Sequence, residues 1–202
     1  MKIVKYVFLV SISIAIFSCG QEASGPVIEE ELVAVQDPVD TALEPKMEVS
    51  EEMVESKSIL FIPESSSLIP AEVKTKIEAA LGEIMALMSV AQIEMTEAPM
   101  SITKKFSLAE MMSEFDVAIV AELPEGMEVF GRIEKGETYA GKALKTVHVG
   151  SPFKLKATYD GLIAYIKDNG YEINGNSWEV YIDDPTKVAE DIRRINIYFP
   201  VK

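Results

Sequence analysis

The sequence predicts an α+β domain in which a strand-helix-strand-strand unit occurs twice, giving an antiparallel sheet with two helices on one face. Three observations predict it. Two segments carry apolar residues at helical spacing, each follows one apolar run, and each precedes two alternating runs bounded by turn residues.

Ser58 to Leu68 ("SILFIPESSSL") opens as an apolar strand. Pro70 suits a first helical turn, and Val73, Ile77, Ala80, Leu81, Ile84, Leu87, Met88 and Ala91 form one helical stripe behind it. "MSITKKF" (100 to 106) and "FDVAIVAEL" (115 to 123) alternate as strands, and "LPEG" ends the second in a turn. The order then repeats. Tyr139 to Gly150 reads as a strand, Ser151 and Pro152 as N-cap and first helical residue, and Leu155, Tyr159, Leu162 and Ile166 as the second stripe. Gly170 is positioned as a left-handed cap, and "SWEVYI" and "RRINIYFPV" supply the last two strands. Gly82 and Gly161 lie inside the two helices, where a close approach between the helices would account for both.

Ahead of this domain, Lys2 and Lys5 precede an apolar run from Tyr6 to Phe17, and the only cysteine, Cys19, comes next. The run is short for a span of about 20 residues and reads as a secretory signal peptide over residues 1 to 18. With Ile16 three residues before Cys19, it resembles a bacterial lipoprotein signal, which implies lipidation at Cys19 and attachment to a membrane in the bacterial envelope, in either leaflet. From Gly20 to Lys57 stand eleven acidic and two basic residues, interrupted by Pro26, Pro38 and Pro45. Residues 19 to 57 are therefore expected to be a lipidated, acidic, disordered stalk, and 58 to 202 a domain that folds alone. Nine of the fourteen net negative charges belong to that stalk, so the acidity describes the tether, and nucleic acid is not expected as a partner.

The second half carries a more specific signal. His148 to Gly150, Gly170 with Tyr171, Glu179 with Tyr181, Asp184 with Pro185, and Ile197 to Pro200 occur in the order found in the GyrI-like effector-binding domain. The chain resembles that family, the small-molecule-binding module of multidrug-sensing and AraC-type regulators. No helix-turn-helix precedes the domain, so a transcription function is not carried over. The resemblance implies a ligand cleft between the two repeats.

Alternation along "SWEVYID" puts Glu179, Tyr181 and Asp183 opposite to Trp178, Val180 and Ile182. Along the last strand, Asn196 and Tyr198 oppose Ile195, Ile197 and Phe199. The apolar sets fit a helix-covered face, with Trp178 capping the core. Glu179, Tyr181 and Tyr198 are then expected on the uncovered, cleft-bearing face, with Ser101 and Thr103 of the first repeat on the facing wall. A carboxylate among aromatic rings suits small amphipathic or cationic aromatic molecules.

Binding without catalysis is the leading expectation, by a monomer carrying no cofactor. The alternative that the resemblance implies is a hydrolase of reactive, cyclopropane-type molecules, as some GyrI-like proteins are, with Glu179 and Tyr181 handling a proton. An adaptor for another envelope protein is a third reading. His148 has no ligand-type neighbours in sequence, so neither a metal nor haem is expected there. Met85, Met88, Met111 and Met112 are expected to pack in the core.

Overall fold

A computed structural model describes residues 47–202. The signal peptide at 1 to 18, Cys19 and the acidic segment up to residue 46 lie outside the described residues. The strands are β1 (Val49–Val54), β2 (Ser58–Ser67), β3 (Met100–Ser107), β4 (Met112–Val120), β5 (Glu134–Glu137), β6 (Gly141–Val149), β7 (Trp178–Tyr181) and β8 (Arg194–Pro200). The helices are α1 (Pro70–Ala91) and α2 (Leu155–Asp168). All eight strands join one antiparallel sheet in the order β1-β6-β8-β7-β3-β4-β2-β5. This is the α+β architecture with duplicated units that the sequence predicts.

One row of side chains shows how the halves join. Directly opposed residues in antiparallel strands share a face. Ile62, Val117, Ser101, Glu179, Ile197, Thr146 and Val49 are opposed in turn across seven strands, so they form a single row on one face. Ile62 and Val117 belong to the core under α1, with Ala80, Ile84 and Met88, while Ile197 belongs to the core under α2, with Leu162 and Ile166. Both helices therefore cover the same face. α1 packs on β2 and β4, α2 on β6 and β8, and the central strands β3 and β7 lie between those two strips.

The ends of α2 follow the local signals. Ser151 accepts a hydrogen bond from the Phe153 N–H and caps a short 3-10 turn, Pro152–Lys154, that runs into α2. Gly170, at φ 74°, closes the helix, with the Tyr171 N–H donating to the Ile166 carbonyl at 3.0 Å. His148 makes a strand-to-helix tie: its Nδ1 lies 2.8 Å from the Thr158 hydroxyl and its Nε2 3.1 Å from the Ser151 carbonyl.

Four expectations need correction. Residues 49–54, expected in the stalk, form β1, because Val49 and Met47 join the core under α2 and the strand completes the edge of β6. The domain begins by residue 47, not 58. β5, unforeseen in the charged stretch "EKGE", pairs with the start of β2. The helical glycines do not mark a helix-helix approach, since Gly161 faces the Met47 side chain and Gly82 faces open space. Of the four methionines, Met88 is buried, whereas Met85, Met111 and Met112 are exposed.

Gly82 gives a simple test of local propensity. A methyl group at this mid-helix position would meet nothing within 4 Å. Gly82→Ala should stabilise the domain by about 1 kcal/mol through helix propensity alone, read as a higher urea midpoint at unchanged slope.

Candidate ligand-binding site

The centre of the helix-facing row is polar. Ser101 on β3 and Glu179 on β7 are directly opposed there, between the apolar cores beneath α1 and α2. Neither core reaches across this middle strip, and polar groups can occupy it because they satisfy one another. Tyr159, reaching down from α2, donates to Glu179 Oε1 at 2.8 Å. Tyr181 Oη lies 3.2 Å from Glu179 Oε2 and 3.0 Å from Ser101 Oγ. One phenol carries one proton, so a single chain satisfies all of them: Ser101 donates to Tyr181, and Tyr181 donates to the carboxylate.

Electrostatics at this point are unusual for a sheet that is open between its helices. Burial pushes the Glu179 carboxyl above its ordinary value, against the two tyrosine hydroxyls that pull it down. Burial and the adjacent carboxylate push both Tyr159 and Tyr181 well above the usual phenol range. Both tyrosines therefore remain neutral donors. Among the described residues no lysine or arginine pairs with Glu179, although the other acids that the core shields, Glu64 and Asp116, each have a cationic partner. Glu179 itself is only part-buried. The Tyr159 ring is held by an edge contact from Phe199, with centroids 5.8 Å apart at 78°.

The faces differ from those the sequence predicts. Glu179 and Tyr181 stand opposite Ile197 and Ile195, so they share the helix-covered face and not the bare one. Trp178 stands opposite Tyr198, and the two stack on the other face with centroids 4.8 Å apart at 4°. Tyr198 is thus not part of the Glu179 cluster, and Trp178 packs with Ile59, Met100, Ala118 and Val120 away from the helices. The reason is register. Alternation within each strand is read correctly, but the relative phase of β7 and β8 is set by their pairing, which alternation does not encode.

Ser101, expected on the facing wall of a cleft on the uncovered face, stands directly opposite Glu179 on the helix-covered face. Thr103 shares that face next to a register shift, and its side chain makes no hydrogen bond to the cluster. Asp183 pairs instead with Arg194, whose guanidinium and backbone N–H hold its carboxyl down to about 2. The missed residue is Tyr159. Its hydroxyl at an otherwise apolar stripe position was the available signal, since a buried phenol needs a partner.

A family model for the GyrI-like small molecule binding domain matches residues 47–202. The chain belongs to the GyrI-like family. Its first matched residue, Met47, lies two residues before β1, so the match includes that strand and supports the corrected boundary. Among solved structures, this GyrI-like chain is similar to EcmrR in an EcmrR–DNA complex, with 17% identity, TM-score 0.68, 78% of this chain covered and 58% of that one. The EcmrR C-terminal domain gives 18% identity and TM-score 0.61, covering 77% and 98%. A hydrolase encoded by lin2189 from Listeria innocua gives 12% and 0.55, covering 79% and 94%. SAV2435 bound to tetraphenylphosphonium gives 13% and 0.53, covering 77% and 94%. At these identities the likeness is one of fold. The chain spans little more than half the length of the first of these. No curated protein matches it.

Proposed function

We propose that this GyrI-like domain binds small cationic, amphipathic aromatic molecules between α1 and α2, and that lipidated Cys19 holds it on a membrane of the bacterial envelope. The observation that carries the ligand class is the unpaired carboxylate. Among the described residues Glu179 is held by two neutral hydroxyls and no cation, so a positively charged guest supplies the missing counter-charge while the Tyr159 and Tyr181 rings offer flat apolar surface. The tetraphenylphosphonium held by SAV2435 is a ligand of this chemistry in a similar fold, which supports the reading. The expected partner is a small molecule bound by a monomer.

Titration calorimetry with tetraphenylphosphonium and with neutral triphenylphosphine oxide tests it. The cation should bind and the neutral compound bind weakly. Equal binding of the two would remove Glu179 from the account.

The anchor is tested separately. No helix among the described residues is long and apolar enough to cross a membrane. The order of Lys2, Lys5, the apolar run and Cys19 supports lipid attachment. In detergent-phase partitioning the wild type should enter the detergent and Cys19→Ala should stay aqueous. Equal partitioning, with residues 1 to 18 retained in both, would defeat the anchor.

A further inference from the structure

We propose that the tip of the β3–β4 hairpin inserts into the lipid surface to which the chain is tethered. The inference rests on the anchored reading above. β7 pairs with β3 only over Met100–Ile102, so the hairpin runs on with β2 as its one flanking strand and ends in a turn, where the Met111 N–H donates to the Leu108 carbonyl at 3.3 Å. That end is apolar and exposed. Phe106 is 60% accessible, Leu108 67% and Met111 58%, with Met112 and Ile69 beside them. The Leu68 N–H donates to the Met111 carbonyl at 3.1 Å, which joins the Ile69 loop to the tip.

The directions of these side chains select the occupant. Phe106 stands opposite Ser113, which is opposed in turn to Ser66 in the rows of the helix-covered face. Met112 stands opposite Ser107 and Ser67 on the other face, and Leu108 and Met111 lie in the turn between. Apolar groups therefore leave the hairpin on both faces and at its end. The headgroup and acyl boundary of a bilayer closes around all sides of such a tip, and the tether keeps that surface within its reach. The local acids are paired: Lys105 holds Glu110, the acid of the turn, at 2.9 Å and lies 3.9 Å from Glu114, and Lys104 holds Asp116.

Tether length makes a weak insertion effective. Residues 20 to 46 separate Cys19 from the described domain. Even fully extended they reach no more than about 90 to 100 Å. The tip is thus confined to a thin layer above the lipid, where a contact too weak for a free protein is populated. Full transfer of one such side chain is worth on the order of tenfold or more in partitioning.

The test uses the mature full-length chain in phosphatidylethanolamine–phosphatidylglycerol vesicles with brominated acyl chains. Leu108→Trp reports the tip, and Phe130→Trp reports another exposed loop, with the signal of the single native Trp178 subtracted. Leu108→Trp emission should shift to the blue and be quenched, while Phe130→Trp should behave as in water. Equal quenching of the two, or none at either, overturns the proposal. Mass measurement of Cys19 separates the two readings: if it is unlipidated the anchor fails, and the tip is then judged by the same quenching at millimolar lipid. If Phe106→Ser with Leu108→Ser changes the sedimentation of the protein and Leu108→Trp is not quenched, the tip is a contact between copies and the proposal falls.

Discussion

Glu179→Gln should lower the affinity for tetraphenylphosphonium about tenfold to a hundredfold while the fold survives, since an interaction of a charged group with its partner is worth roughly 1.5 to 3 kcal/mol. The substitution keeps the shape of the side chain and removes its charge. The amide that replaces the carboxylate still offers an oxygen and a nitrogen to Tyr159 and Tyr181, whose hydroxyls turn to suit it. Neutral ligands should be nearly unaffected. The same residue sets a pH dependence. Because the native carboxyl titrates above its ordinary value, the folded state holds a proton that the unfolded state has lost as pH rises between those two values. Stability therefore falls across that window, is unaffected below it and stays lower by a constant amount above it. Glu179→Gln removes this penalty, so the variant should be no less stable than the wild type at neutral pH and bind less well, the pattern expected where a site trades stability for function. Cation binding by the wild type should strengthen as pH rises through the native value, and that dependence should vanish in the variant. A flat profile in both proteins would place the charge elsewhere. If the site hydrolyses cyclopropane-type substrates instead, wild type should consume such a compound, and Glu179→Gln should bind it and leave it intact.

Removal of β1 should have the largest effect on stability. A chain beginning at Met47 should melt as the mature chain does, whereas one beginning at Ser58 should lose on the order of 3 kcal/mol, the burial of roughly two apolar side chains. For a domain of this size that is a fall of roughly 6 to 12 °C. Met47 and Val49 join the core under α2, Met47 covers Gly161, and the Thr146 hydroxyl donates to the Glu48 carbonyl at 2.7 Å. The ion pairs from Glu51 to Lys142 and Glu52 to Lys145 lie near the surface and add little. Without β1, the long strand β6 also becomes a bare edge open to pairing with other chains. Matching melting curves for the two chains would show that β1 is dispensable and return the boundary to residue 58.

Glu179 shows how far the site was legible. Its place on the same side of β7 as Tyr181 follows from alternation, whereas its position directly opposite Ser101 comes from the pairing of β3 with β7. Tyr198 shows where that reading failed: alternation assigned it correctly within β8, yet the pairing of Trp178 with Tyr198 puts it across the sheet from the carboxylate. In the sequence Tyr159 is one more member of an apolar stripe, because only docking of α2 brings its hydroxyl to Glu179.

By itself, the sequence determined the two helices, the signals at Ser151 and Gly170 that bound the 3-10 turn and α2, the strands with strong alternation, and the order of motifs that marks the family. Those features depend on periodicity and on residues a few positions apart, so they are written locally. Tertiary structure alone decided that β1 completes the sheet, that Glu179 faces the helices, and that Tyr159 and Tyr181 satisfy a carboxylate to which no cation pairs among the described residues. Each of these turns on which distant strand or helix lies alongside. A shift of one residue in that pairing reverses every face while leaving the local pattern unchanged.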